Sequence, residues 1–242
     1  MIIKIKKLTV KHETEILKNI NLNIEKNKIT ALVGSSGCGK STLLKSINLM
    51  LDKELQQDGE ILYLENNILK YEKETLRKEI GLVFQNPTPL PFSIYKNLTY
   101  GYKYHNKNVG NLDKLVEQTL KKIGLFDEIN DFNMAANKLS GGQQQRMCIA
   151  RTLMVNPKVI LLDEPCSALD VKNTLNIENL LKEICHEYTI VIVTHNLSQA
   201  RRISDNLIYM EGGEIIESGK TQDIFINPND ERTKKYLQLE KI

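Results

Sequence analysis

Residues 34–41, GSSGCGKS, fit the pattern G-x-x-x-x-G-K-[ST], and no other stretch limits the possible folds so tightly. ITALVG, at 29–34, is a short apolar strand that ends in the first glycine, and the helical run STLLKSINLM follows the loop. A strand, a glycine-rich turn and a helix in that order point to an α/β layer with phosphate chemistry at its edge. Gly34, Gly37 and Gly39 let the backbone curl so that its N–H groups converge on anion oxygens. The helix N-terminus adds partial positive charge. Lys40 is placed to reach the β- and γ-phosphates of a nucleotide and Ser41 to hold Mg²⁺. The bland alternative is a glycine turn without a ligand. The motif alone leaves kinase, ATPase and GTPase open.

A second apolar strand, KVILLDE at 158–164, ends in two carboxylates. Asp163 falls at the C-terminal edge of the strand, where α/β sheets bind ligands. Glu164, one residue on, is suited to accept a proton from an attacking water. An acidic strand end facing solvent would read the same way. YTIVIVTH, at 188–195, is likewise apolar on both faces, as central strands of a parallel sheet are. Further strands are expected at EILYLE (60–65) and EIGLVF (79–84), and a hairpin at NLIYMEGGEIIESG with Gly212-Gly213 in the turn. Leu112, Leu115, Val116, Leu120 and Ile123 are spaced as one face of a helix. Another helix starts at LSGGQQQR (139–146), where Ser140, Gly141 and Gly142 form either a plain N-cap or a second anion site. The polar tail, 227–242, reads as a surface helix.

Three of the six prolines, at 87, 89 and 91, follow directly on the strand EIGLVF. A turn needs one proline at most, so this knuckle is expected to be a stiff element with a purpose of its own.

The net charge of +3 is too small to argue for nucleic acid. The four cysteines are widely spaced with no CxxC pair, which speaks against a zinc or disulfide framework and for a reducing compartment. No apolar stretch approaches the ~20 residues of a membrane span.

With GSSGCGKS, LSGGQ, ILLDE and VTH in this order, the chain resembles the ATP-binding subunits of ABC transporters over nearly its whole length. The fold this implies is α/β: a P-loop, RecA-like parallel-sheet core with an N-terminal antiparallel β subdomain and an inserted α-helical subdomain. The expected division is a single domain over 1–242: core at 1–85 and 156–220, helical subdomain at 86–155, and C-terminal tail at 221–242. The resemblance implies a Walker A loop of Gly34, Ser35, Ser36, Gly37, Cys38, Gly39, Lys40, Ser41 and Thr42. It implies a Q-loop glutamine, Gln85, touching Mg²⁺ and the attacking water. Ser140, Gly141, Gly142 and Gln143 would be the signature motif serving ATP on a second copy of the chain. Asp163 would join Ser41 and Gln85 at the metal, Glu164 would be the catalytic base, Ser167 to Asp170 the D-loop, and His195 the switch histidine.

Within that family, FQNPTPLPFSIYKNLTYG is similar to the same segment of phosphate-specific (Pst-type) import ATPases. The implied partners are a second copy, two membrane-spanning permease subunits and, indirectly, a phosphate-binding protein. The implied place is the cytoplasmic face of the cell membrane. Another solute (an amino acid or a metal oxyanion) and a soluble ABC ATPase for cofactor assembly are the alternatives. The chain departs from the family pattern in three places: Val171 for a proline, Ser35 for a proline, and Val10 or Lys11, with His12 adjacent, where an aromatic in the family stacks on adenine.

Overall fold

Among the described residues five strands are paired in parallel, and most of their side chains are buried on both faces. The computed structural model describes residues 1–106 and 110–239. The chain begins with β1 (Ile3–Lys11), β2 (Glu15–Ile24) and β3 (Ile29–Gly34), then α1 (Lys40–Ile47). Next come β4 (Gln56–Tyr63), β5 (Asn66–Asn67), α2 (Lys73–Glu79) and β6 (Ile80–Val83). Three helices follow, α3 (Ile94–His105), α4 (Leu112–Lys122) and α5 (Gly141–Leu153). The rest alternates: β7 (Val159–Asp163), α6 (Val171–Ile184), β8 (Thr189–Val193), α7 (Leu197–Ile203), β9 (Asn206–Glu211) and β10 (Glu214–Lys220). Two helices, α8 (Thr221–Ile226) and α9 (Glu231–Leu239), end the described chain.

The larger sheet has the order β10-β9-β3-β8-β7-β6, parallel except for the antiparallel edge strand β10. The smaller sheet, β2-β1-β4-β5, is antiparallel throughout. In β7, Val159 and Leu161 face the core shared with the smaller sheet and α1, while Ile160 and Leu162 face the helices. Successive side chains of a strand point to opposite faces. A strand covered on both sides therefore has no polar face, which is why ITALVG, VILLD and TIVIV are mostly apolar.

The expected strands and the hairpin are present, with β4 beginning at Gln56 and ending at Tyr63. Helices α2, α3, α6, α7 and α8 fall outside the helices expected from the sequence; two of them stand out. The first is α2 and the second α3, whose IYKNLTYGYKYH is rich in tyrosine and poor in strong helix formers. Ser93 caps α3 by accepting from Lys96 N at 3.2 Å, and Ile94 and Leu98 bury the helix against the core.

The expected surface helix of the tail is present as α9, and the tail is docked on the hairpin. Tyr236 stacks on Tyr209 with ring centroids 4.5 Å apart. Glu217 accepts from the backbone N–H groups of Asn229 and Asp230. Residues 240–242 of the expected tail lie outside the described residues, as do 107–109.

Candidate functional site

Strand register alone gathers most of the expected site at one edge of the larger sheet. Leu32 is paired with Val193, and Val193 with Asp163. Val83 is paired with Leu162. The chain therefore leaves β3, β6, β7 and β8 at nearly the same level, and Gly34, Gln85, Glu164 and His195 emerge side by side. Glu164 N donates to Val193 O at 3.0 Å, and Thr194 N to Leu32 O at 3.2 Å, which carries the register past the strand ends.

The loop after β3 needs its glycines. Gly34 has φ +152°, and a Cβ there would stand 2.1 Å from Met210 O. Gly39 has φ +101°, and its Cβ would meet Leu17 Cδ2 at 2.7 Å. Ser35, Ser36 and Gly37 are exposed at the crest. Cys38 turns inward and is 4% exposed, with Lys40 Nζ 3.7 Å from its Sγ. Lys40, 6% exposed, donates from Nζ to Gly34 O and Ser35 O, both at 2.8 Å. Ser41 Oγ donates to Asp163 Oδ1 at 2.9 Å, with Thr42 next to it in the first turn of α1. Burial pushes the Asp163 carboxyl above its ordinary value, against the opposing hydrogen bond from Ser41.

Three of the expected catalytic side chains meet at one oxygen. Gln85 Nε2 donates to Glu164 Oε2 at 3.1 Å, and His195 Nδ1 lies 3.2 Å from the same atom. Gln85 also approaches Ser167 Oγ at 3.4 Å. The backbone of Glu164 is left-handed, φ 44°, an uncommon conformation for a residue other than glycine.

Ser140, Gly141, Gly142 and Gln143 are not brought to this edge. They open α5, where Ser140 accepts from Gln143 N at 3.4 Å and Gln143 Oε1 accepts from Ser140 N at 3.0 Å. This reciprocal capping box satisfies the helix end. A Cβ on Gly142 would stand 2.7 Å from the Asn173 side chain, so the start of α5 abuts the start of α6. Among the described residues the side chains of Ser140 and Gln143 have no hydrogen bond to the loop at 34–42.

Of the positions near the expected base slot, Val10 is fully buried between the sheets. Only Lys11 and His12 face solvent there.

Several organising residues carried no signal in the sequence. Asn97, fully buried, accepts from Leu90 N at 2.8 Å and donates to the carbonyls of Leu90, Phe92 and Ser93. Arg151 adds a bond to Thr88 O at 3.0 Å. The proline knuckle is thus tied at both ends to the helices behind it. Arg146, 4% exposed, donates twice to Glu128, and Gln143 donates to the same carboxylate. Glu178, 2% exposed, accepts from Gln199 and from Arg202.

Comparison with known proteins agrees with this geometry. The sequence profile of the family described as ABC transporter matches residues 17–167. The chain is 48% identical to the "Phosphate import ATP-binding protein PstB" of Oceanobacillus iheyensis, over 93% of this chain and 84% of that one. It is also 48% identical to the protein of the same name from Staphylococcus saprophyticus, over 93% of this chain and 79% of that one. Among solved structures it is similar to the ATP-binding cassette MJ0796, described as a dimer in a post-hydrolysis state bound to ADP and Pi. That likeness has a TM-score of 0.79 at 31% identity and covers 90% of this chain and 98% of the other. With the family profile matching residues 17–167, and 48% identity over 84% of a curated relative's length, the chain belongs to the ABC transporter ATP-binding family.

Proposed function

We infer that this chain binds and hydrolyses ATP as the energy-supplying subunit of an importer, and that the imported solute is inorganic phosphate. The observation that carries the hydrolytic part is the meeting of Gln85 and His195 on Glu164 Oε2, one residue beyond the Asp163–Ser41 pair. The cargo rests on the likeness to the phosphate importers' ATP-binding proteins.

The donor set fits Mg²⁺. Ser41 Oγ and the Asp163 carboxylate are hard oxygen ligands 2.9 Å apart. The Asp163 carboxyl is raised by burial, a cost that a bound cation would relieve. Ser41, Asp163 and, through its amide oxygen, Gln85 would hold the ion. When bound, it would neutralise charge developing on the phosphate oxygens.

Each residue of the chain then has a task. The N–H groups of the loop from Gly34 to Thr42 cradle the phosphates. Lys40 exchanges its two carbonyl partners for phosphate oxygens. Glu164 takes one proton from water as the water oxygen bonds to the γ-phosphorus and the bond to the ADP oxygen breaks. Gln85 and His195 hold the accepting carboxylate in place, and His195, more exposed than Glu164, is free to turn toward the γ-phosphate.

Ser140, Gly141, Gly142 and Gln143 lack a partner site within the chain and would serve ATP on a second copy, head to tail. Residues 1–85 and 156–220 would act as the nucleotide-binding core, 86–155 as the helical subdomain and 221–242 as a tail. The knuckle at 86–92 would carry movement at Gln85 to two permease subunits, with a phosphate-binding protein acting through them. The chain would sit peripherally on the cytoplasmic face of the membrane.

Turnover of the Glu164→Gln variant tests the chemistry. ATP binding should persist while hydrolysis falls at least ~10²-fold. Hydrolysis close to the wild-type rate would remove Glu164 from its role.

A further inference from the structure

Glu178 is a buried acid with no part in the chemistry described above. It lies on α6 and accepts from Arg202 Nε at 3.1 Å, from Arg202 Nη2 at 2.7 Å and from Gln199 Nε2 at 3.3 Å. Apolar side chains of like volume often replace a buried ion pair at no loss of stability, so holding α6 to α7 does not by itself call for these charges.

Gln199 is buried as well and belongs to α7, which starts directly after the segment that carries His195. It reaches two segments at once. Its backbone N–H donates to Asn196 Oδ1 at 2.8 Å, and Asn196 N donates to Thr194 Oγ1 at 3.1 Å. These bonds fix the chain on both sides of His195. Its side chain donates to the thiol of Cys166. Cys166 lies inside the turn that Ser167 N closes on Glu164 O at 3.2 Å. One residue thus ties the segment bearing the histidine to the turn bearing the acid. Glu164, Cys166, His195 and Gln199 all line one hollow of about 290 Å³.

The buried carboxylate decides which way the Gln199 amide points. An ionised carboxylate only accepts hydrogen bonds, whereas a glutamine amide has an oxygen on one side and an NH₂ on the other. Beside Glu178 the NH₂ faces the acid, and its second hydrogen is left for Cys166. Turned over, the amide would set its oxygen against the carboxylate and withdraw the donor from the turn.

We infer, resting on the assignment of Glu164 as the catalytic base, that Gln199 is a positioning residue for hydrolysis and that the Glu178–Arg202 pair serves by orienting it. Glu178 holds the amide, the amide holds Cys166, and Cys166 holds the turn from which Glu164 meets Gln85 and His195. The left-handed backbone of Glu164 is kept in place by surroundings of this kind.

The test compares kcat for ATP hydrolysis with Kd for ATP in Gln199→Leu, Glu178→Gln, Cys166→Val and Cys166→Ser, each made alone and in the Glu164→Gln background. Gln199→Leu, Glu178→Gln and Cys166→Val should each lower kcat about tenfold or more, since a misplaced reacting group is costly, while the Kd is unchanged. Cys166→Ser keeps an acceptor at the same place and should recover most of the loss. Gln199→Leu and Cys166→Val combined should cost no more than the larger of the two, because they break one contact. In the Glu164→Gln background the same substitutions should change little, as they act through that side chain. Cys166 is half-buried and carries no charge, so Cys166→Val should fold even where Gln199→Leu does not. Wild-type kcat in Gln199→Leu and Cys166→Val would overturn the proposal, and so would losses just as large in the Glu164→Gln background. Wild-type hydrolysis by Glu164→Gln alone would bring down the base assignment and the proposal with it, a result distinct from the other two.

Discussion

Glu164 combines an acid with a backbone conformation that costs free energy. Its φ of 44° is in the left-handed region, which disfavours any residue with a Cβ by about 1–2 kcal/mol. The conformation is imposed from both sides: Glu164 N donates to Val193 O, and Glu164 O accepts from Ser167 N at 3.2 Å. Strain of this kind persists at functional sites because the surrounding structure fixes it. Glu164→Gly should therefore unfold within ~1 kcal/mol of the wild type, the relief of strain offsetting the greater freedom of the unfolded chain, while turnover is lost. A loss of several kcal/mol in urea unfolding would show that the turn depends on the side chain instead. Gly34 is the opposite case. Gly34→Ala drives a Cβ onto Met210 O, a backbone atom that cannot swing away. That variant should lose at least ~1 kcal/mol of stability together with nucleotide binding, both read by thermal unfolding with and without ATP.

At the scale of elements, the proline knuckle depends on residues outside itself. Prolines lack an N–H, so the loop supplies few donors of its own. Asn97 supplies them instead, bonding to both polar groups of Leu90. Asn97→Ala leaves buried backbone groups unpaired, at a cost of about 1–3 kcal/mol. Amide exchange at Leu90 should accelerate in this variant before exchange in β3 or β8 does. Equal protection at Leu90 in both proteins would mean that the prolines alone hold the knuckle.

The start of α5 depends similarly on Glu128. The guanidinium of Arg146, hydrogen-bonded to this carboxyl, holds it below the usual carboxylate range. A depressed carboxyl contributes stability that is present above its unfolded value of about 4.3 and lost as pH falls through the lower folded value. Glu128→Gln should thus be less stable than the wild type at pH 7, and the gap should close under acid. A gap that is constant with pH would remove the ion pair from the explanation.

These elements also mark where the sequence was readable. Strands β3, β7 and β8 show as apolar runs because two layers cover them. The capping box of α5 shows because Ser140 and Gln143 are local to one turn. Asn97 and Glu128 do not show, since their partners are set by how helices pack and not by spacing along the chain. For the same reason α3 carried no helical signal: its tyrosines and threonine favour strands, and burial of Ile94 and Leu98 overrides them.

The whole molecule couples two sheets with different duties. The larger one aligns Gly34, Gln85, Glu164 and His195 by register, and the smaller one braces the loop through Ile16 and Leu17, which crowd Gly39. Among the described residues no helix is long and apolar enough to cross a membrane. Phe84 and Tyr100, beside the knuckle, are exposed.

Phosphate uptake by whole cells joins the chemistry to the cargo in one experiment. Cells lacking other phosphate importers would express either the wild-type chain or only Glu164→Gln, and radiolabelled phosphate would be supplied at limiting concentration. High-affinity uptake should be lost with the variant, although the variant protein is present and still binds ATP. Undiminished uptake under those conditions would contradict the claim that hydrolysis at Glu164 drives phosphate import.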